Sequence, residues 1–168
     1  DTTPPVDTNT PPEDVQGPAG SGSFTFQIEH VAQGGPFELN TPYPSGTGKD
    51  FKLELVRYWV SNIVLHGADN SIYEVSKSYY LFEQLINKTR LSVTIDGIPA
   101  GDYTAVTFSI GVDKEHNHSL DVMEGELSTA VDMSWNWNSG YIFFKVTGTY
   151  GPTGDFLKAH LGFDSCYR

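Results

Sequence analysis

Five histidines and one cysteine are the side chains in this chain best suited to hold a borderline or soft metal ion. They are His30, His66, His116, His118, His160 and Cys166. A single cysteine forms neither an intrachain disulfide nor a cysteine-based zinc ribbon, so imidazole is left as the main ligand type. The run Asp113-Lys114-Glu115-His116-Asn117-His118 sets two histidines two residues apart. In an extended strand both would leave the same face, about 6 to 7 Å apart at the backbone, close enough to converge on one ion. A solvated polar loop gives the same spacing, and H-x-H alone does not separate the two. His160 is the candidate third ligand across a sheet. Three neutral imidazoles suit copper or zinc. His30 is a possible fourth group nearby. Met133 and Cys166 would add softness for Cu(I), although a methionine among apolar residues more often packs in a core. Imidazole binds metal only when neutral, so affinity is expected to fall below about pH 6.

Trp135 and Trp137 sit two residues apart in MSWNWNSGY and share one face if that segment is a strand. Aromatic packing accounts for them. The functional alternatives are a sugar-stacking platform or a redox-active tryptophan beside a metal. Enzyme signatures are missing: the chain has no GxSxG, P-loop, HExxH or GxGxxG. Its acids are scattered, and a glycosidase-type carboxylate pair is set by distance in the fold, not by spacing in sequence. No enzyme activity is expected.

The elements that must position these groups read as strands. Phe24, Phe26 and Ile28 alternate with polar residues, and His30 continues the inward series. Phe51, Leu53 and Leu55 alternate and run into RYWVSNIVL. Residues 66–70 form a turn into Ile72, Tyr73 and Val75, a hairpin pattern. SKSYYLFEQL has weak helical character. Leu91, Val93 and Ile95 share a face, and TAVTFSIGV, YIFFKVTGTY and FLKAHLGF are β-prone. DVMEGELSTAVDM is mixed, with a short helix or coil expected. No amphipathic helix of 10 to 15 residues separates the strands, which excludes a βαβ fold. The expectation is an all-β, antiparallel, Greek-key-like β-sandwich of about seven to nine strands.

The chain has 168 residues and a formal net charge of -11. That length suits one domain plus a tail, and the acid excess argues against a nucleic-acid partner. Residues 1–23 hold five of the ten prolines, with Thr, Gly, Ser and acids between them. Such a segment reads as a flexible, disordered linker, with residues 24–168 as the domain. The start at Asp1 fits removal of a signal peptide. A tether at a mature N-terminus suits a bacterial lipoprotein, in the periplasm or on the cell surface of a Gram-negative organism. Four of the acids lie in that tether, which points to solubility as the use of the charge.

RYWVSNIVL, DGIPAGDYTAVTFSIGVD, Asn117-His118, MSWNWNSGYIFFKVTG and AHLGFDSC follow one another in order. In combination they resemble the MbnP-like family of secreted bacterial proteins, which includes copper-binding surface proteins of methanotrophs. The resemblance covers about residues 24–166. It implies a β-sandwich that binds copper between two histidines and a tryptophan oxidised to kynurenine, with a di-haem peroxidase-like partner performing the oxidation. The histidines carry over onto His118 and His160. Where the family places the modified tryptophan, two residues before the first histidine, this chain has His116. That departure speaks against kynurenine formation and for a third imidazole, with His116, His118 and His160 as the ligands. His30, Met133, Trp135, Trp137 and Cys166 would surround them. The family's earlier cysteine, which would pair with the C-terminal one, is missing here.

The expected function is copper capture, storage or delivery outside the cytoplasm, with an outer-membrane transporter as another possible partner. The alternatives are a metal-free, carbohydrate-binding sandwich using Trp135 and Trp137, or an accessory lipoprotein subunit of an outer-membrane assembly.

Overall fold

A computed structural model of the chain describes residues 20–118, 124–127, 131–135 and 140–166. Residues 1–19 of the expected tether and Trp137 lie outside the described residues, and Ser21, Gly22 and Ser23, expected in the tether, open the first strand. The fold is antiparallel and almost entirely β. Its strands are β1 (Ser21–Gln27), β2 (Val31–Ala32), β3 (Gly35–Pro36), β4 (Tyr43–Pro44), β5 (Asp50–Gly67), β6 (Ile72–Glu74), β7 (Tyr79–Leu85), β8 (Lys88–Arg90), β9 (Ser92–Pro99), β10 (Tyr103–Ile110), β11 (Ile142–Tyr150) and β12 (Asp155–Gly162). A four-residue helix, α1 (Lys114–Asn117), follows β10. Seven strands have seven residues or more (β1, β5, β7, β9, β10, β11, β12), and the short remainder are hairpin arms and edge pieces.

The long β5 is the spine. On one side it pairs with β11 and then β10, and on the other with β4, β7 and β6. The main sheet runs β12-β11-β5-β7-β8. The separate β1–β9 pair packs over one face of this sheet. Phe24, Phe26, Ile28, Leu91, Val93 and Ile95 from that pair and its flanks meet Val56, Tyr58, Val60, Ile63, Leu65 and Phe82 from β5 and β7. The expected alternations of β1 and β9 therefore supply one wall of the inner core.

β5 cannot keep one face inward by strict alternation, because Leu53, Val56, Tyr58, Val60, Ile63 and Leu65 change parity twice. Two bulges reset the phase. One extra β5 residue lies opposite Thr147–Gly148 and another opposite Thr107–Ser109. The second contains Asn62 at φ 52°, a left-handed conformation that asparagine tolerates better than most residues. Leu55, expected in the series of Phe51 and Leu53, falls out of the inner core for this reason.

Two sequence expectations are corrected. SKSYYLFEQL, read as weakly helical, forms β7, because Tyr80, Phe82 and Gln84 alternate with Tyr79, Leu81 and Glu83 between the two faces of the sheet. The H-x-H segment is not extended. Asp113 caps α1, accepting a hydrogen bond from the His116 backbone N–H at 3.1 Å. In a helix, residues two apart do not face each other, so His116 and His118 diverge.

Candidate metal centre

The outer face of the sheet is covered by the crossover between β10 and β11. Trp59 and Tyr79 from the sheet meet Val112, Leu127, Met133, Tyr141, Ile142 and Phe143 in a second core. Three ties pin the crossover down. The Gly111 N–H donates to the Trp59 carbonyl at 3.0 Å. The Leu81 N–H donates to the Glu126 carboxylate, which Arg90 grips in a bidentate pair at 2.6 and 2.6 Å. The third tie is a polar cluster on β7. There the Tyr79 hydroxyl donates to Asp113, and His116 Nδ1 lies 2.8 Å from the Tyr79 oxygen and 2.7 Å from Asp113 Oδ1.

His116 Nε2 lies 3.4 Å from Glu124. Both ring nitrogens therefore face protein partners. Burial pulls this imidazole's pKa down, but the bond and charge of Asp113, with Glu124 and Glu115, outweigh it and hold the pKa above the usual value. Asp113 is lowered in turn: burial opposes this, and the bonds from Tyr79 and His116 prevail. The acidic partners thus favour imidazolium, the form that does not ligate a metal.

His160 has the opposite surroundings. It lies on β12 beside the Trp135 ring, with centroids 5.8 Å apart, and Trp135 stacks on Phe163 at 4.9 Å. Burial first, then the charges of Lys158 and Lys145, lower its pKa and favour the neutral ring. Its Nε2 is buried without a hydrogen-bond partner among the described residues. An orphaned buried ring nitrogen of this kind carries a free-energy cost that a ligand would relieve.

A chain of contacts connects α1 to this ring. Asn117 is buried, and its side-chain oxygen accepts from the Tyr141 N–H at 2.7 Å. A Cβ at Gly140 would lie 3.1 Å from the Asn117 carbonyl. The Trp135 backbone N–H donates to the Gly140 carbonyl at 3.1 Å. A Cβ at Gly162 would lie 2.8 Å from the Tyr141 carbonyl and 3.2 Å from the Trp135 indole nitrogen. Asn117, Trp135, Gly140, Tyr141, His160 and Gly162 thus belong to one packed layer, with the exposed His118 one residue beyond Asn117. Replacing Asn117 by Ala strips the partner from a buried N–H and should cost about 1–3 kcal/mol. A denaturant melt tests this, and an unchanged midpoint would refute the role given to Asn117.

The other candidates separate from this layer. His30 is bonded through Nδ1 to Gln84 at 2.7 Å and through Nε2 to Tyr58 at 2.8 Å, on the inner-core face of the sheet. Met133 is fully buried in the outer core. Cys166 is exposed and unbridged, its thiol donating to the Gly162 carbonyl at 2.9 Å. Among the described residues no group of three or more His, Cys, Asp or Glu is arranged to hold one ion. Asp113 and Tyr79 were not foreseen as members of the polar cluster. Asp113 had a readable signal, its N-cap spacing to His116, but Tyr79 had none, because its segment was read as helical.

The family model for MbnP matches residues 21–168. The chain belongs to the MbnP family. MbnP from Methylosinus trichosporium superposes with a TM-score of 0.62 at 16% identity, over 84% of this chain and 62% of that chain. At that identity the likeness shows the fold. The chain spans less than two thirds of that protein's length. No curated protein matches this MbnP-family chain.

Proposed function

We propose that this MbnP-family chain is an extracytoplasmic copper-binding protein that captures or delivers the ion without turnover. The observation behind this reading is the buried, unpartnered Nε2 of His160 beside Trp135, in a layer tied through Tyr141 to Asn117-His118. A buried nitrogen donor beside aromatic rings suits a borderline or soft ion. His160 and His118 are the proposed ligands. His116, held by Asp113, Tyr79 and Glu124, sets the position of α1 behind them. A third imidazole from His116 would require it to leave those partners. Trp135 is half-buried under Phe163, which gives the sugar-platform reading no support from that residue.

Copper titration of the wild type against a His118→Ala, His160→Ala double variant tests the assignment. Loss of an outer-shell partner of a metal ligand typically costs about 10- to 100-fold in affinity, so losing both ligands should cost at least about 100-fold. Equal affinity in the two proteins would sink it. His116→Gln should cost less than the double variant.

A further inference from the structure

β10 borders the main sheet with nothing paired to its outer side among the described residues. Its ladder runs to β5 only. From Thr104 to Ile110 every residue is exposed, including Val106 at 38%, Phe108 at 40% and Ile110 at 49%. Natural sheets guard such edges with charges, prolines or bulges. The β12 border carries Asp155 and Lys158, and β8 carries Lys88 and Arg90. The β10 sequence YTAVTFSI has no charge, no proline and no glycine, and its single bulge, at Thr104, leaves the run from Ala105 to Ile110 unguarded.

We infer that β10 is a self-pairing edge, which joins two copies of this chain antiparallel about a two-fold axis. Unpaired backbone donors and acceptors call for a strand as occupant. Charge points to a second copy. In a chain of net charge -11, β10 lets two copies meet without like charges opposed. The side-chain pattern is self-complementary as well. In an antiparallel pair, opposite residues share a face. An axis through Thr107 sets Val106 of one copy opposite Phe108 of the other, so the apolar side chains of the two strands meet on one face. A register slipped by one residue would oppose apolar to polar residues. The Gly111 N–H points to β5. By alternation the backbone groups of Val106, Phe108 and Ile110 point outward, where they can form the new ladder. Thr107 then meets its own copy at a non-hydrogen-bonded position, with Cα atoms about 4.5 Å apart.

Sedimentation of the full chain over a concentration series is the test. The wild type should dimerise, more tightly at higher salt because the acidic copies are then screened. Thr107→Lys sets two ammonium groups face to face and should be monomeric, with a circular dichroism melt that shifts only slightly, because within the chain it loses just the exposed Thr107–His66 hydrogen bond of 2.8 Å. In a Cys166→Ser background, Thr107→Cys should oxidise to a covalent dimer and Thr104→Cys should not. A wild type that stays monomeric at every concentration and salt overturns the inference. So does a dimer that Thr107→Lys leaves intact while Thr107→Cys fails to cross-link. Protection of the β10 amides from exchange in a monomer overturns it too, because another segment of chain would then cover the edge.

Discussion

Replacing Gly148 by Ala should destabilise this protein by roughly 3 kcal/mol. A Cβ at Gly148 would lie 1.9 Å from the Lys52 carbonyl oxygen and 2.8 Å from the Leu53 Cα. Both atoms are backbone, so no side chain can swing aside. Gly148 faces the first β5 bulge, where Thr147 pairs with Leu55 and Gly148 with Leu53. The extra β5 residue pushes its main chain towards β11, and only a residue without a side chain leaves room. Relief would require the bulge to move. That would turn Val56, Tyr58 and Val60 away from the inner core, because a one-residue slip exchanges the faces of a strand. For a domain of this size the midpoint of a thermal melt should fall by roughly 6 to 12 °C. An Ala variant that melts within about 2 °C of the wild type would show that the bulge yields cheaply, and the account of β5 phasing would fail.

That bulge also marks the limit of what the sequence made legible. Where a strand alternates without interruption, as Phe24, Phe26 and Ile28 or Leu91, Val93 and Ile95 do, the inward residues were readable, because one face of each pair is buried. Across β5 the same rule failed at Leu55, since nothing local announces an extra residue that a partner strand accommodates. Asn62 and Gly148 are consequences of the bulges, and their meaning emerges only with the partner in place. β7 was misread because Tyr80, Leu81 and Leu85 also fit a helical spacing; its pairing with β5 decides the matter. At the candidate centre, residue types were legible and directions were not. His116 and His118 were paired on the assumption of an extended backbone. The N-cap at Asp113 and the Tyr79 hydroxyl across the sheet turned His116 into the polar cluster instead. The order of the motifs pointed to the family, and the contacts show why those residues belong together: Asn117, Gly140, Tyr141 and Gly162 touch in one layer.

Trp59→Ala should cost about 3–5 kcal/mol and should also weaken the copper binding proposed above, and the second effect is the more informative. Trp59 has no exposed surface and lies edge-on to Tyr141, with centroids 6.0 Å apart at 80°. It faces the outer core, while its neighbours Tyr58 and Val60 face the inner one. The cavity left by Ala therefore opens under Tyr141, Phe143 and Met133, the packing that supports the layer of Asn117, Trp135 and Gly162. Phe82 is the matched control. It is as well buried, belongs to the inner core and pairs with Tyr58 on β5. Phe82→Ala should lower the denaturant midpoint by a comparable amount. Under conditions where both variants are fully folded, only Trp59→Ala should show weakened copper affinity, because interiors relax mainly next to the cavity. If the two variants lose affinity equally, the two faces of the sheet do not act as separate layers. If neither loses any, the metal does not depend on the layer beneath Trp135 and His160.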